Sequence, residues 1–382
     1  MLTPQVKEGG KVIEIAKKSD YEKILRFLES AYGHFFNFFP LTYPNEWGEE
    51  NFDYENTLII KEEGQIVSLV KVFPLPMVFE GIEVKFAGIG SVSTAYSHRG
   101  KGYMSELLNE CFEKMKKENY PLSILWGDRH RYQNFGYEVA GKKVYITNTS
   151  RGMAKNKIES AQKTERFLGD RKILNKIISA YNLHPYRKIR TEEEMSEKVL
   201  KKFLPATYYL EGQNKFAYVS ISRERGILEF GGDEELILKI LKYLEERFGY
   251  SSFSLFYPDF EHIPDLIFST ASSWQICPDG MIKIVDLFQT LKTFSKKFLS
   301  IPENFEITFS TENQSVILRK EKGDIIIKNG KGKNEIFLNE IDMVKLFFGT
   351  DFWKPKGESK EILNILKSVL PINVFIWPLD HI

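Results

Sequence analysis

The residues best suited to chemistry lie between Gly88 and Met104, GIGSVSTAYSHRGKGYM. Val92 and Thr94 favour a strand, and an amphipathic segment begins near Gly102. Between them sits a basic, glycine-rich turn, Arg99-Gly-Lys-Gly-Tyr-Met104. Such a turn leaves the first amides of the following helix unpaired at its mouth. Those amides, the helix dipole and the cations of Arg99 and Lys101 suit a pyrophosphate. Gly100 and Gly102 let phosphate oxygens approach to hydrogen-bonding distance. Basic glycine turns also cap helices for structural reasons alone, so the flanks decide.

The segment after the turn is apolar at Met104, Leu107, Leu108, Cys111, Phe112 and Met115, which predicts a helix lying on a sheet. Tyr120 to Trp126 reads as the next strand. After it come Asp128-Arg-His-Arg-Tyr132-Gln-Asn-Phe-Gly-Tyr137. Strand, turn, helix and strand together resemble the GNAT N-acetyltransferases, whose turn is Arg/Gln-x-x-Gly-x-Gly/Ala. Arg99, Gly102 and Met104 fill those positions; the sixth is small in the family and Met here. Tyr132-x-x-Phe-Gly-Tyr137 resembles the Eis-like (enhanced intracellular survival) branch.

The resemblance implies acetyl-CoA as cosubstrate, no metal, and a small-molecule amine as acceptor: aminoglycoside-like, polyamine or lysine. It implies that Val92, Ser93 and Thr94 offer backbone groups to the pantetheine arm, one amide polarising the thioester carbonyl. Arg99, Gly100, Lys101, Gly102, Tyr103 and Met104 would hold the pyrophosphate; Gly127 and Asp128 match positions that touch the cofactor. Tyr132 is the candidate acid. A phenol titrates near 10 and a thiol near 8.5, so the phenol is protonated at neutral pH and can donate to a departing thiolate. Tyr137 reads as packing. For the base the family points to the chain-terminal carboxylate, here on Ile382. The apolar tail Val374-Phe-Ile-Trp-Pro-Leu-Asp-His-Ile382 reads as tied down, and Asp380 and His381 remain alternatives.

The chain has 382 residues, 42% hydrophobic and 27% charged, which predicts two or three domains with ample core. Its formal net charge is +1, which argues against nucleic acid or an anionic membrane as a partner held by bulk charge. Two distant cysteines, Cys111 and Cys277, fit a reducing compartment, and with no signal segment or apolar span the expectation is a cytoplasmic protein. His34, His98, His130, His184 and His262 lack metal-site spacing.

In chain order, Lys11 to Ala16 reads as a strand and Ser19 to Glu22 as a capping box opening a helix. The loop from His34 to Trp47 is unusually aromatic, either core filler or a wall for a cationic acceptor. Thr57–Lys61, Gln65–Phe73 and Ile82–Ala95 read as a meander, with a turn over Pro74 to Gly81, and Val144 to Asn148 is expected to close that sheet. Glu165 to Asn182 reads as a helix. A weaker copy of strand, glycine turn, helix and strand spans Gly226 to Tyr257, but Asp233, Glu234 and Glu235 sit where the first copy has cations. Carboxylates suit a helix start and repel a pyrophosphate. The expectation is a mixed α/β (α+β) protein of tandem GNAT folds: 1–150 with the acetyl-CoA site, 151–285 degenerate, and 286–382 resembling the sterol-carrier-protein-like domain that ends Eis-like chains. The resemblance further implies a homo-oligomer, a hexamer by analogy. The alternative is a non-catalytic module that binds an apolar ligand or a protein on the same scaffolds.

Overall fold

The computed structural model describes residues 5–7, 11–200, 206–222, 226–249, 251–356 and 360–381. The N-terminal sheet contains β1 (Gln5–Lys7), β2 (Lys11–Ile15), β3 (Thr57–Glu62), β4 (Gln65–Phe79), β5 (Ile82–Thr94), β6 (Leu122–Leu125) and β7 (Glu138–Val139). From β1 to β5 each strand pairs antiparallel with the next; β5 and β6 run parallel. Helices cover the two faces. On one, α1 (Tyr21–Tyr32) sets Ile24, Leu25 and Leu28 against Ile59 and Leu69. On the other, α2 (Tyr103–Lys117) sets Leu107, Leu108, Cys111 and Met115 against Leu58, Val70 and Ile89. The alternation of β4 from Leu69 to Phe73 thus feeds two cores, Leu69 and Phe73 on the α1 side, Val70 and Val72 on the α2 side.

Four expectations are corrected here. The start of α1 is held not by Ser19 but by Asp20, whose carboxylate accepts the Lys17 amide at 3.0 Å and the Lys61 ammonium at 2.8 Å. β4 runs unbroken through Pro74 and Pro76 to a turn at Glu80-Gly81. Its pairing with β3 stops at Lys71 and its pairing with Tyr186–Lys188 starts at Met77, so Pro74 falls in the gap between the two partners, where no amide is needed. Lys143–Thr149 does not close the first sheet but pairs with Ser252–Tyr257 and Ala271–Cys277 in a three-stranded sheet. The place beside β6 goes to Met281–Ile284, which also pairs with β7. Finally, Glu165–Arg166 is a strand, and the helix starts at Arg171 behind an Asp170 cap.

The middle of the chain forms a four-stranded sheet of Ile227–Gly232, Phe216–Ile221, Ala206–Glu211 and Glu165–Arg166, with Arg171–Asn182 and Glu234–Phe248 packed against it. Its helix start is occupied from within: the Asp233 carboxylate accepts the Leu236 amide at 3.1 Å. The last part is another four-stranded sheet, in which Glu335–Phe337 runs parallel to Phe305–Ser310. Its interior is filled by Phe294, Phe298, Phe309, Phe347 and Phe348. The layout is that of tandem GNAT-like folds followed by an extra domain. No helix among the described residues is long and apolar enough to cross a membrane.

Candidate active site

Two features of β5 create the cleft. Its pairing with β6 covers only Phe86 to Gly88, so beyond Gly88 the edge facing β6 carries no ladder. In the same stretch Leu69 faces Ser93 while Lys71 faces Gly90, so β5 holds one extra residue; Ser91 takes the left-handed conformation at φ 53°. A bulge of this kind bends the strand and re-aims its last residues, Val92 to Thr94.

The strand then passes through a short turn into α2. Gly100 and Gly102 have φ of 80° and 81°, a region where a Cβ is strained, and a side chain at either would point into open space. Gly102 caps α2 without any side-chain acceptor, so the first helical amides have no side-chain cap. Arg99 and Lys101 are exposed beside them. Open glycines, uncapped amides and two cations fit the pyrophosphate of acetyl-CoA. Tyr103 contributes only backbone to this mouth. Its ring is buried and its hydroxyl donates to Glu62. Glu62 also holds His98 at 3.2 Å and Lys101 at 3.4 Å, and so steadies the loop. Met104 packs its side chain into the core under α2, away from the turn.

On the β6 side, Asp128 caps the short helix Arg129–Gln133 by accepting the Arg131 amide at 2.8 Å. This helix carries Tyr132. The Tyr132 ring lies edge-on to Tyr137, centroids 6.1 Å apart, and directly over Gly127, where a Cβ would sit 2.5 Å from the ring. Gly127 therefore makes room for the phenol. Among the described residues nothing hydrogen-bonds the Tyr132 hydroxyl, and burial raises its pKa; Arg131 opposes that rise and Asp128 adds to it. The Tyr137 hydroxyl is spent on Ser123 Oγ at 2.7 Å, as a packing role requires.

Facing this from α1 is Tyr32, which composition and spacing did not single out. Its hydroxyl donates to the Val92 carbonyl at 3.3 Å, and desolvation, with the Tyr132 phenol nearby, pushes it up to about 12. A cavity of about 410 Å³ opens on the α1 face, lined among others by Glu46, Lys71, Phe73, Lys188, Asp380 and His381. The aromatic loop supplies one wall: Phe39 and Trp47 are buried in the core, Glu46 reaches the cavity, and Phe35 and Phe36 stay exposed.

The tail supplies the other wall. Val374 to Trp377 are buried; the Ile376 amide donates to Asp279 at 2.7 Å and the Trp377 indole to the Tyr186 carbonyl at 3.0 Å. Asp380 is gripped by Arg190 at 2.6 Å and accepts from Tyr181 at 3.2 Å. Burial alone would raise its pKa, but Arg190 and Lys198 hold it well below the ordinary carboxylate range. His381 stacks on Trp126, centroids 4.1 Å apart, which carries the tail to the end of β6. Burial lowers its pKa, with Asp279 opposing, so the imidazole is neutral at pH 7. Ile382 lies outside the described residues. Lys71 and Trp126 were legible only in part: a lone lysine in Leu69-Val-Lys-Val-Phe73 is a signal, whereas nothing local marks Trp126 as the stacking partner of a residue 255 positions away.

A bulged strand that parts from its neighbour, with an uncapped glycine turn after it, is a shape that suits an acyl-CoA. Residues 12–140 match the model of the GNAT acetyltransferase domain, so the chain carries such a domain and is an acetyltransferase with acetyl-CoA as its implied cosubstrate. Solved structures extend the likeness to the whole length. A GCN5-related N-acetyltransferase from Anabaena variabilis ATCC 29413 is 15% identical, with TM-score 0.70 over 97% of this chain and 100% of that one. One from Kribbella flavida is 13% identical, TM-score 0.71, covering 97% and 100%. Eis1 from Mycobacterium abscessus is 10% identical, TM-score 0.67, again 97% and 100%. At such identities the likeness is one of fold. No curated protein matches the chain.

Proposed function

We propose that the protein transfers the acetyl group of acetyl-CoA to the amine of a small molecule held in the cavity between the aromatic loop and the tail. The observation that carries this reading is the uncapped start of α2, with its two left-handed glycines, placed beside the splay of β5 and β6 and the unengaged Tyr132 phenol. The turn from Arg99 to Met104 holds the pyrophosphate through backbone amides and the two cations. Backbone groups of Val92 to Thr94 orient the arm, and an amide there polarises the thioester carbonyl. Tyr132 gives its proton to the departing thiolate.

The amine must react as the free base. The carboxylate of Ile382 is the base that the family resemblance implies, and the tail delivers its neighbour to the cavity wall. Asp380 is a poor substitute, because both of its oxygens are engaged by Arg190. His381 is the better alternative: its Nε2 faces the Ile376 carbonyl at 3.3 Å, which assigns the proton there and leaves Nδ1 to accept. We assign 286–382 to a sterol-carrier-like domain on its sequence resemblance, as the part that brings the tail to the site.

Isothermal titration with acetyl-CoA tests the reading. Binding weakened about tenfold or more by Arg99→Glu is the expected result; no binding at millimolar ligand, or binding indifferent to the charge reversal, removes it. The base is tested by adding one residue after Ile382. Turnover should fall about 100-fold with acetyl-CoA binding intact. An extended chain with full turnover, combined with an inactive His381→Gln, moves the base to the imidazole.

A further inference from the structure

We propose that the acceptor is a zwitterion, an amine that also carries a carboxylate, and that Lys71 at the floor of the cavity pairs with that carboxylate. This rests on the N-acetyltransferase reading above and narrows its acceptor class. Lys71 points from β4 toward the α1 face and is only 2% exposed. Its ammonium donates to the Glu46 carbonyl at 2.9 Å and lies over three rings, 4.4 Å from Trp47, 4.4 Å from Phe52 and 5.1 Å from Phe73. Among the described residues no carboxylate pairs with it. Burial brings its pKa down to about 8, with Asp53 and Glu46 opposing, so it is still mostly charged at neutral pH. A buried cation without a counter-ion is costly, and the neighbouring positions on this face, Leu69 and Phe73, are apolar. An aliphatic residue would fill the position at lower cost.

Most of the other charges around the cavity are answered from within the protein. Lys188 pairs with Glu194 at 2.9 Å, Asp380 with Arg190 at 2.6 Å, and Lys198 donates to the Leu379 carbonyl at 2.8 Å. Of the other carboxylates, Asp53 accepts from the Asn56 amide groups, Glu193 is exposed at the rim, and Glu46 is half engaged. Its Oε1 is 3.7 Å from Lys198, but its Oε2 is buried with no hydrogen-bond partner. The cavity therefore sets a buried ammonium that meets no carboxylate near a Glu46 carboxylate with one oxygen unpartnered. A ligand bearing both charges answers both. A polyamine or an aminoglycoside brings only cations and places one more beside Lys71. The volume, about 410 Å³, lies in the range of small-molecule sites and accommodates an amino acid or a short peptide.

The test compares amines that differ only by the carboxylate. CoA release is measured for the full chain with lysine against cadaverine, ornithine against putrescine, and histidine against histamine. The wild type should favour the amino acids by about 10- to 100-fold in kcat/KM. Lys71→Met should bring the ratio close to one, with acetyl-CoA affinity unchanged, and Lys71→Arg should restore much of it. A lysine that serves only packing would leave the ratio untouched in Lys71→Met. An enzyme that binds acetyl-CoA yet accepts both series equally, prefers the decarboxylated amines or accepts neither overturns the inference while the acetyl-CoA site stands. Failure to bind acetyl-CoA at all is the separate failure of the enzyme reading.

Discussion

Tyr132→Phe should lower kcat by about 10²- to 10³-fold and leave acetyl-CoA affinity within about twofold. The substitution removes one oxygen. The ring keeps its bed over Gly127 and its edge contact with Tyr137, so the cleft keeps its shape. Nothing among the described residues depends on the hydroxyl, and thermal stability should move by less than about 1 kcal/mol. The pH profile adds a second readout. Burial raises the phenol above its ordinary value, so it stays protonated below about pH 10 and its proton is lost only as pH climbs further. Any pH dependence near neutrality must then come from another group, and Tyr132→Phe should lower the whole profile without changing its shape there. A phenylalanine variant with wild-type turnover would place the proton donor elsewhere; Tyr32, hydrogen-bonded to Val92 across the cleft, would be the next residue to replace.

The second large effect is expected at Arg190→Met, far from the thioester in sequence and chemistry. The guanidinium is fully buried, 2.5 Å from Glu229 and 2.6 Å from Asp380, with its carbon 4.0 Å from the centre of the Tyr181 ring. Tyr218 donates to Glu229 at 2.9 Å, so both carboxylates sit in a closed polar network. Removing the cation strands two buried carboxylates, and urea unfolding should report a loss of about 3–5 kcal/mol. Asp380 immediately precedes His381 and anchors the chain end, so the same variant should expose the tail to carboxypeptidase and cut turnover while acetyl-CoA still binds. Stability of the wild type should respond to acid in a defined direction. The Asp380 carboxyl is held below its ordinary value in the folded state, so its contribution is complete above the ordinary carboxylate range and drains away as pH falls below about 4. Glu229 opposes this in part, because burial raises its pKa and lets it accept a proton earlier. A triple replacement of Arg190, Glu229 and Asp380 by apolar residues should recover much of the lost stability but not the position of the tail. If Arg190→Met unfolds like the wild type and keeps a protected tail, the network is not what docks the chain end.

Much of the candidate site's local structure was legible in the sequence because its signals are local. A glycine that must adopt positive φ, a cation beside it and an apolar stripe at helical spacing occupy adjacent positions, and the turn from Arg99 to Met104 folds as those residues demand. The carboxylates at 233–235 announced by the same logic a helix start closed to phosphate, and Asp233 does cap its helix. Neighbouring strands paired as the meander predicts, but partner choice between distant strands was not legible. Lys143–Thr149 and Met281–Ile284 carry alternating or apolar patterns that fit the first sheet equally well, and only the packed whole gives the edge beside β6 to the later one. Pro74 and Pro76 read as a turn because proline lacks an amide. They are tolerated in β4 because two partner strands happen to leave a gap there.

The cavity belongs wholly to the tertiary structure. Its walls come from the aromatic loop, from β4, from the segment around Lys188 and from the tail at Asp380 and His381, which no sequence window contains together. The sequence alone determined the glycine turn before α2, the phenol just after β6 and the helices that cover the sheet, since each depends on backbone preferences within a few residues. The tertiary structure decided which charges are answered and which are left open. Lys71, Glu46 and Arg190 acquire their character from burial and distance, and both are set by segments that meet only after the chain has folded.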